Sequence, residues 1–130
     1  MNDAVRELAA DSGALRRVVG RGSVAGYEVL ELTFDNGNLR LACHGDTDEI
    51  AIDVTAEAAT HATEVRDDAF ADVVGKIIEL AWTMVNSRGY EDAFQLRLLD
   101  LVTRRESCLQ FEVLASAITV SRVAVDSESR

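Results

Sequence analysis

Residues 30–54 read Leu30-Glu31-Leu32-Thr33-Phe34-Asp35-Asn36-Gly37-Asn38-Leu39-Arg40-Leu41-Ala42-Cys43-His44-Gly45-Asp46-Thr47-Asp48-Glu49-Ile50-Ala51-Ile52-Asp53-Val54. Asn36-Gly37 is a favoured dipeptide for a two-residue type I′ hairpin turn, because both turn residues must take positive φ. Centred there, the turn sets Phe34 opposite Leu39, Leu32 opposite Leu41 and Leu30 opposite Cys43, all apolar on both strands. The reverse face carries Thr33 with Arg40 and Glu31 with Ala42. A slip of one residue would scatter this division, so the register is strongly specified. Gly45-Asp46-Thr47-Asp48 reads as the next turn, and Glu49 to Val54 alternates again through Ile50, Ile52 and Val54. A four-residue loop places Ile50 opposite Cys43 and Ile52 opposite Leu41, so three strands share one apolar face.

A second meander follows from the same test. Lys76 to Val85 alternates through Ile78, Leu80, Trp82 and Met84, and Asp92 to Leu99 through Phe94, Leu96 and Leu98. A five-residue loop, Asn86-Ser87-Arg88-Gly89-Tyr90, pairs Trp82 with Phe94, Leu80 with Leu96 and Ile78 with Leu98, with Glu79 facing Arg97 behind them. Cys108 to Leu114 gives the third strand. Ala115-Ser116-Ala117 reads as a bend or bulge before a last strand, Ile118 to Val125. Between the meanders, Asp67 to Gly75 predicts a short helix, its aspartates suiting the N-terminal dipole and Gly75 ending it. Ala56 to Glu64 is open between helix and loop. Asp3 to Ala10 predicts a helix ended near Gly13, and Leu15 to Val19 leans to strand. The expected fold class is α+β: mostly antiparallel β, two three-stranded meanders, six or seven strands and one or two short helices. Sandwich, partial barrel and single sheet remain open.

The chain of 130 residues suits one domain, expected over residues 1–125 with a frayed tail at 126–130. Its 48% hydrophobic content and lack of proline fit a compact unit without Pro-rich linkers. No signal peptide is read at Met1-Asn2-Asp3-Ala4, and no apolar run is long enough to span a membrane. A cytoplasmic location is expected, with Cys43 and Cys108 as reduced thiols. The net charge of −10 excludes the basic surface that nucleic-acid binding needs. It is also uneven: from Asp46 to Asp72 nine acids (Asp46, Asp48, Glu49, Asp53, Glu57, Glu64, Asp67, Asp68, Asp72) stand against Arg66 alone. Such a stretch is a solvated surface or an anionic face that steers a basic partner.

Few residues suggest chemistry. Gly20-Arg21-Gly22-Ser23-Val24-Ala25-Gly26 resembles a phosphate-cradling loop, but a strand follows it where a helix is required, so a flexible connector is expected. His44-Gly45-Asp46-Thr47-Asp48-Glu49 offers carboxylates for a hard cation, yet lacks calcium-loop spacing, and turns are rich in Asp and Gly anyway. No metal or cofactor is expected. Cys43 and His44 point to opposite faces of a strand, which argues against a thiolate-imidazole nucleophile. The most distinctive stretch runs from Trp82 to Leu96. A binding reading assembles Trp82, Asn86, Arg88, Tyr90 and Asp92 at the hairpin tip. The competing reading buries Trp82 in the core and leaves Asn86, Gly89 and Asp92 to build the turn.

The run Trp82-x-x-x-Asn86-x-x-Gly89-Tyr90-x-Asp92, with Phe34-Asp35-Asn36-Gly37, Asp48-Glu49-Ile50 and Ala115-Ser116-Ala117, resembles small uncharacterised bacterial proteins of a domain-of-unknown-function family. The resemblance covers residues from about 15 to 123 and implies a bacterial cytoplasmic α+β domain without implying an activity. From the residues themselves, the leading expectation is a non-enzymatic acidic protein-interaction module. Its concrete form is an immunity-type or antitoxin-like inhibitor that covers a basic active site through Asp46, Asp48, Glu49, Asp67, Asp68 and Asp72. The competing classes are a small-ligand binder or small enzyme with a pocket between the meanders, and a structural subunit of a larger assembly. The partner is expected to be a basic protein, and a homodimer would protect the sheet edges.

Overall fold

The computed structural model describes residues 1–44, 48–56 and 63–124. Its elements are α1 (Asp3–Ala10), β1 (Leu15–Ser23), β2 (Gly26–Phe34), β3 (Gly37–His44), β4 (Glu49–Thr55), β5 (Thr63–Glu64), β6 (Ile77–Val85), β7 (Glu91–Leu99), β8 (Glu106–Leu114) and β9 (Ala117–Val123). A 3-10 turn at Asp68–Phe70 precedes β6. This corrects the α+β expectation. The nine strands among the described residues form one antiparallel sheet, curled into a half-barrel, and α1 is the sole α-helix there.

The two meanders have four strands each. Leu15 to Val19 is indeed extended, and it continues through the glycine-rich segment to Ser23, so Gly20 to Ser23 is strand and Val24-Ala25 the hairpin tip. Gly22, at φ 119, sits at a bulge where an added Cβ would meet the Gly26 carbonyl at 2.5 Å, so only glycine fits. The order along the sheet is β4-β3-β2-β9-β8-β7-β6, and β1 flanks β2 and carries β5. At Tyr27, β2 has Gly22 of β1 on one side and Ile118 of β9 on the other. That pair is the one rung between β2 and β9, and a second bridge, Ala14 with Ile77, ties the start of β1 to β6.

The helix bridges the two terminal strands, packing against both β4 and β6. Asn2 caps it by accepting the Val5 N–H at 2.9 Å, and its amide donates to the Ile52 carbonyl and Asp53 of β4, both at 3.1 Å. Val5 and Leu8 are buried in the core with Leu30, Leu32, Leu39, Leu41, Leu96, Leu98 and Leu109. Phe111 lies at the centre, 6.1 Å from the Phe94 ring and 6.2 Å from the Phe70 ring.

The β3–β4 register is as expected, with Cys43 opposite Ile50 and Leu41 opposite Ile52. The β2–β3 register is not. Leu32 faces Leu39 and Leu30 faces Leu41, because the turn residues are Asp35-Asn36 rather than Asn36-Gly37. The offset is two residues, so the apolar faces survive. Its cause is tertiary. The Asp35 N–H donates to the Ala14 carbonyl at 3.1 Å and the Asn36 N–H to Ser12 at 3.0 Å, while the Asp35 carboxylate accepts from Ala14 N and from Arg16. The segment before β1 thus holds Asp35 and Asn36 outside the ladder. Positive φ at both turn residues occurs instead at Ala115 (51°) and Ser116 (62°), which form a two-residue hairpin loop between Leu114 and Ala117 where a bend or bulge was expected.

The second meander begins in the expected register, with Ile78 opposite Leu98, and then departs from it. Glu79 is an extra residue, so Leu80 faces Arg97, Ala81 faces Leu96 and Thr83 faces Phe94. The bulge turns Leu80, Trp82 and Met84 to the outer face, and small side chains meet the fully buried Leu96 and Phe94. Trp82 is therefore not in the core. It is half-buried outside, with the Arg97 guanidinium 5.9 Å from its ring centre. The helix expected over Asp67 to Gly75 is likewise a single 3-10 turn. Phe70 and Val73 are buried as expected, but Val74 is exposed because the chain leaves helical geometry at Ala71 and Asp72 (φ 63). Ala56 to Glu64 ends in the strand Thr63–Glu64, and the rest of that question lies outside the described residues, as does the tail at 126–130.

Candidate functional site

The curl of the sheet brings Asp48, just before β4, to the same end as the β6–β7 loop and the β8–β9 turn. Asp48 holds positive φ, at 51°. One of its carboxylate oxygens accepts the Ser116 N–H at 3.0 Å and the Ser116 hydroxyl at 3.1 Å. The next residue, Glu49, accepts the Glu91 N–H at 3.3 Å. Two consecutive acids of the first meander thereby bind the backbone of the second.

The β6–β7 loop is built on Asn86. Its side-chain oxygen accepts the N–H groups of Arg88 (2.9 Å) and Tyr90 (3.1 Å), and its own N–H donates to the Tyr90 carbonyl at 2.9 Å. Gly89, at φ 86, lets the chain turn back. The Asn86 amide also reaches Asp92 at 3.4 Å. The result is a recess of about 520 Å³ lined by Asp48, Asn86, Arg88, Tyr90, Asp92 and Val113. A smaller hollow, of about 390 Å³, continues from Asp92 and Val113 towards Met84, Glu112 and Leu114.

Four of the five residues expected at the hairpin tip, Asn86, Arg88, Tyr90 and Asp92, thus share one recess. Trp82 does not line it, since the bulge at Glu79 sends the ring over Arg97. The acidic residues divide. Asp48 belongs to the recess, and Glu49 ties it to β7. Asp67 caps the 3-10 turn, accepting the Ala69 N–H at 3.0 Å, and also accepts the Tyr27 hydroxyl at 3.0 Å. Burial, reinforced by that carboxylate, pushes the Tyr27 phenol up to about 12. Asp68 and Asp72 are exposed on the loop that Arg122 of β9 holds through the Ala71 carbonyl at 2.9 Å. Asp46 lies outside the described residues. Among the described residues, no group of three or more His, Cys, Asp or Glu side chains is arranged to hold a metal ion.

Sequence reasoning missed Val113 and Ser116. Val113 reads only as a core residue of its strand, and Ser116 carries none of the Gly or Asn signal that marks a left-handed turn.

A second polar cluster lies inside the sheet. The Lys76 ammonium donates to the Ser107 hydroxyl at 2.7 Å, and Arg122 donates to the same oxygen at 2.8 Å. Burial, and then the charge of Arg122, pulls the Lys76 pKa down. A lysine beside a serine can activate a nucleophile, but Ser107 is 1% exposed, so no substrate reaches it. Cys43 and Cys108 are unbridged, and burial pushes both thiols up, away from thiolate chemistry.

The profile of a family described as a family of unknown function, DUF6334, matches residues 1–125. The chain belongs to this family. No curated protein and no solved structure matches it. Among the described residues, no helix is long and apolar enough to cross a membrane.

Proposed function

We propose that this DUF6334 chain is a non-enzymatic protein-interaction module whose recess at the meeting of the two meanders receives a basic segment of a partner protein. The observation that carries this reading is the pairing of two carboxylates from different meanders, Asp48 and Asp92, in one recess beside Tyr90. In each, one oxygen is engaged, by Ser116 or by the Asn86 amide, and the other makes no hydrogen bond among the described residues. A lysine or arginine side chain is the group that two such oxygens attract, and charge-assisted bonds are the strong ones.

The surroundings support a protein over a free cation. Tyr90 and Leu114 are 39% and 59% exposed in the recess and its continuation, and Arg88 stands in the recess wall. Aromatic residues and arginine dominate binding energy at protein interfaces. The charge of −10 would speed encounter with a basic partner. An inhibitor that covers a basic active site, of the immunity or antitoxin type, is the form this reading takes.

The test is fluorescence anisotropy with a labelled lysine-rich peptide. Asp92→Asn should weaken binding by roughly tenfold, about 1.4 kcal/mol, and flatten its salt dependence. Asp3→Asn, a change at an exposed site on the helix, should leave it unaltered. Equal losses in both variants would reduce the effect to bulk charge and remove the site.

A further inference from the structure

The loop between β7 and β8 is the basic counterpart of the acidic recess. Its tip, Leu101-Val102-Thr103-Arg104-Arg105, is exposed at every residue, with Leu101 at 56% and Val102 at 91%. The two arginines are adjacent, and among the described residues neither has a carboxylate partner. The tip is nonetheless built. One Asp100 carboxylate oxygen accepts the N–H groups of Val102 at 2.8 Å and Thr103 at 3.0 Å, and the Asp100 N–H donates to the Arg105 carbonyl at 2.9 Å. A loop ordered before it docks loses less entropy on binding.

Recess and tip stand at opposite ends of β7. Its nine residues, at about 3.4 Å each, hold them about 30 Å apart. The tip therefore cannot reach the recess of its own chain. We propose that it docks in the recess of a second copy, head to tail. Arg104 and Arg105 then meet Asp48 and Asp92, while Leu101 and Val102 cover Tyr90 and Leu114. This inference rests on the recess taking a basic segment, and it names that segment. Charge complementarity selects it: two unpaired arginines face two carboxylates that each keep one unengaged oxygen. Asp48 is exposed and Asp92 half-buried, so both are open to an incoming side chain. The net charge of −10 opposes association at long range, but at physiological ionic strength salt screens it beyond about 8 Å while contact pairs persist. Each docked copy leaves one tip or one recess open, so the contact repeats into a ring or an open chain. A basic partner competes with it for the recess.

The test is sedimentation velocity of the full chain over a concentration series reaching about 1 mM, which detects weak association. The parent should sediment faster as concentration rises, and excess lysine-rich peptide should return it to a monomer. Arg104→Gln combined with Arg105→Gln removes the charge of the tip, and Asp92→Asn weakens the recess. Each should move the onset of association to a roughly tenfold higher concentration. An equal mixture of the two variants should form a dimer and stop there, because it holds one intact tip for each intact recess. At the dilution used for anisotropy, the arginine variant should bind the lysine-rich peptide as the parent does. A parent that stays monomeric while binding the peptide would overturn this inference and leave the basic-segment reading standing. A parent that does neither would remove both. Association that the arginine variant keeps in full, or a mixture no larger than its components, would also overturn it.

Discussion

Asp48 and Ser116 are 68 residues apart in sequence, yet one carboxylate oxygen of Asp48 takes both the backbone N–H and the hydroxyl of Ser116. Both residues hold positive φ, at 51° and 62°. The strain of one turn is thus braced against the other, and the brace forms one wall of the recess. Asp48→Ala should lower stability by about 0.5–1.5 kcal/mol, the net worth of a typical hydrogen bond, since solvent screens the charge at this exposed site. Ala115→Gly should raise it by up to about 1 kcal/mol, because glycine relieves the left-handed turn without touching the bond. Urea unfolding midpoints check both, and a stabilising Asp48→Ala would refute the brace.

The bulge at Glu79 decides which aromatic residues matter to the core. Phe94→Ala should cost about 3–5 kcal/mol, because the ring is fully buried at the centre. Trp82→Ala should cost well under half of that, since the ring loses partial burial and a contact with Arg97 of about 0.5–1 kcal/mol. Acrylamide should quench the native tryptophan fluorescence readily. A shielded, blue-shifted emission would mean that Trp82 lies inside and that the register is the unbulged one.

Tyr27 gives a prediction at alkaline pH. Its folded pKa is raised from 10.0 to about 12, so the folded state keeps a proton that the unfolded chain releases. The stabilisation is present in full below pH 10 and is lost as pH rises towards 12. Tyr27→Phe should therefore flatten the alkaline fall in stability over that window. The difference in tyrosinate absorbance between parent and variant should have its midpoint near 12; a midpoint near 10 would show that the phenol is neither buried nor bonded to Asp67.

Asp35 gives the mirror case at acid pH. The Arg16 guanidinium, 2.6 Å away, and the Ala14 N–H hold its carboxyl below the ordinary value of 3.8. Its contribution is present above that value and is lost as pH falls through the lower, folded one. Asp35→Asn should be less stable than the parent at neutral pH and converge with it in acid. A constant gap across pH would show that the charge plays no part.

These residues also mark how far the sequence was legible. Alternation, bounded by turn residues, located β3, β4 and the strands of the second meander, since a half-buried strand must place one apolar residue in two. The loop of Asn86, Arg88 and Tyr90 was legible because Asn and Gly have few other reasons to stand there. What could not be read was set by distant contacts. The Asn36-Gly37 dipeptide satisfied the local rule for a type I′ turn, but Ser12 and Ala14 hold the chain one residue earlier. The bulge at Glu79 follows from the space left beside Leu96 and Phe94, a property of the assembled core. Local signals for a helix at Asp67 to Gly75 lost to the burial of Phe70 and Val73 and to the grip of Arg122. Asp48 joined the recess through contacts between the two meanders, and no local pattern encodes those neighbours.

The most direct test of the account is an NMR footprint of the lysine-rich peptide on the ¹⁵N-labelled chain. The account predicts shifts centred on Asp48, residues 86–92 and residues 113–116, from both meanders at once. Shifts confined to residues 67–72, or spread evenly over the acidic surface, would contradict it.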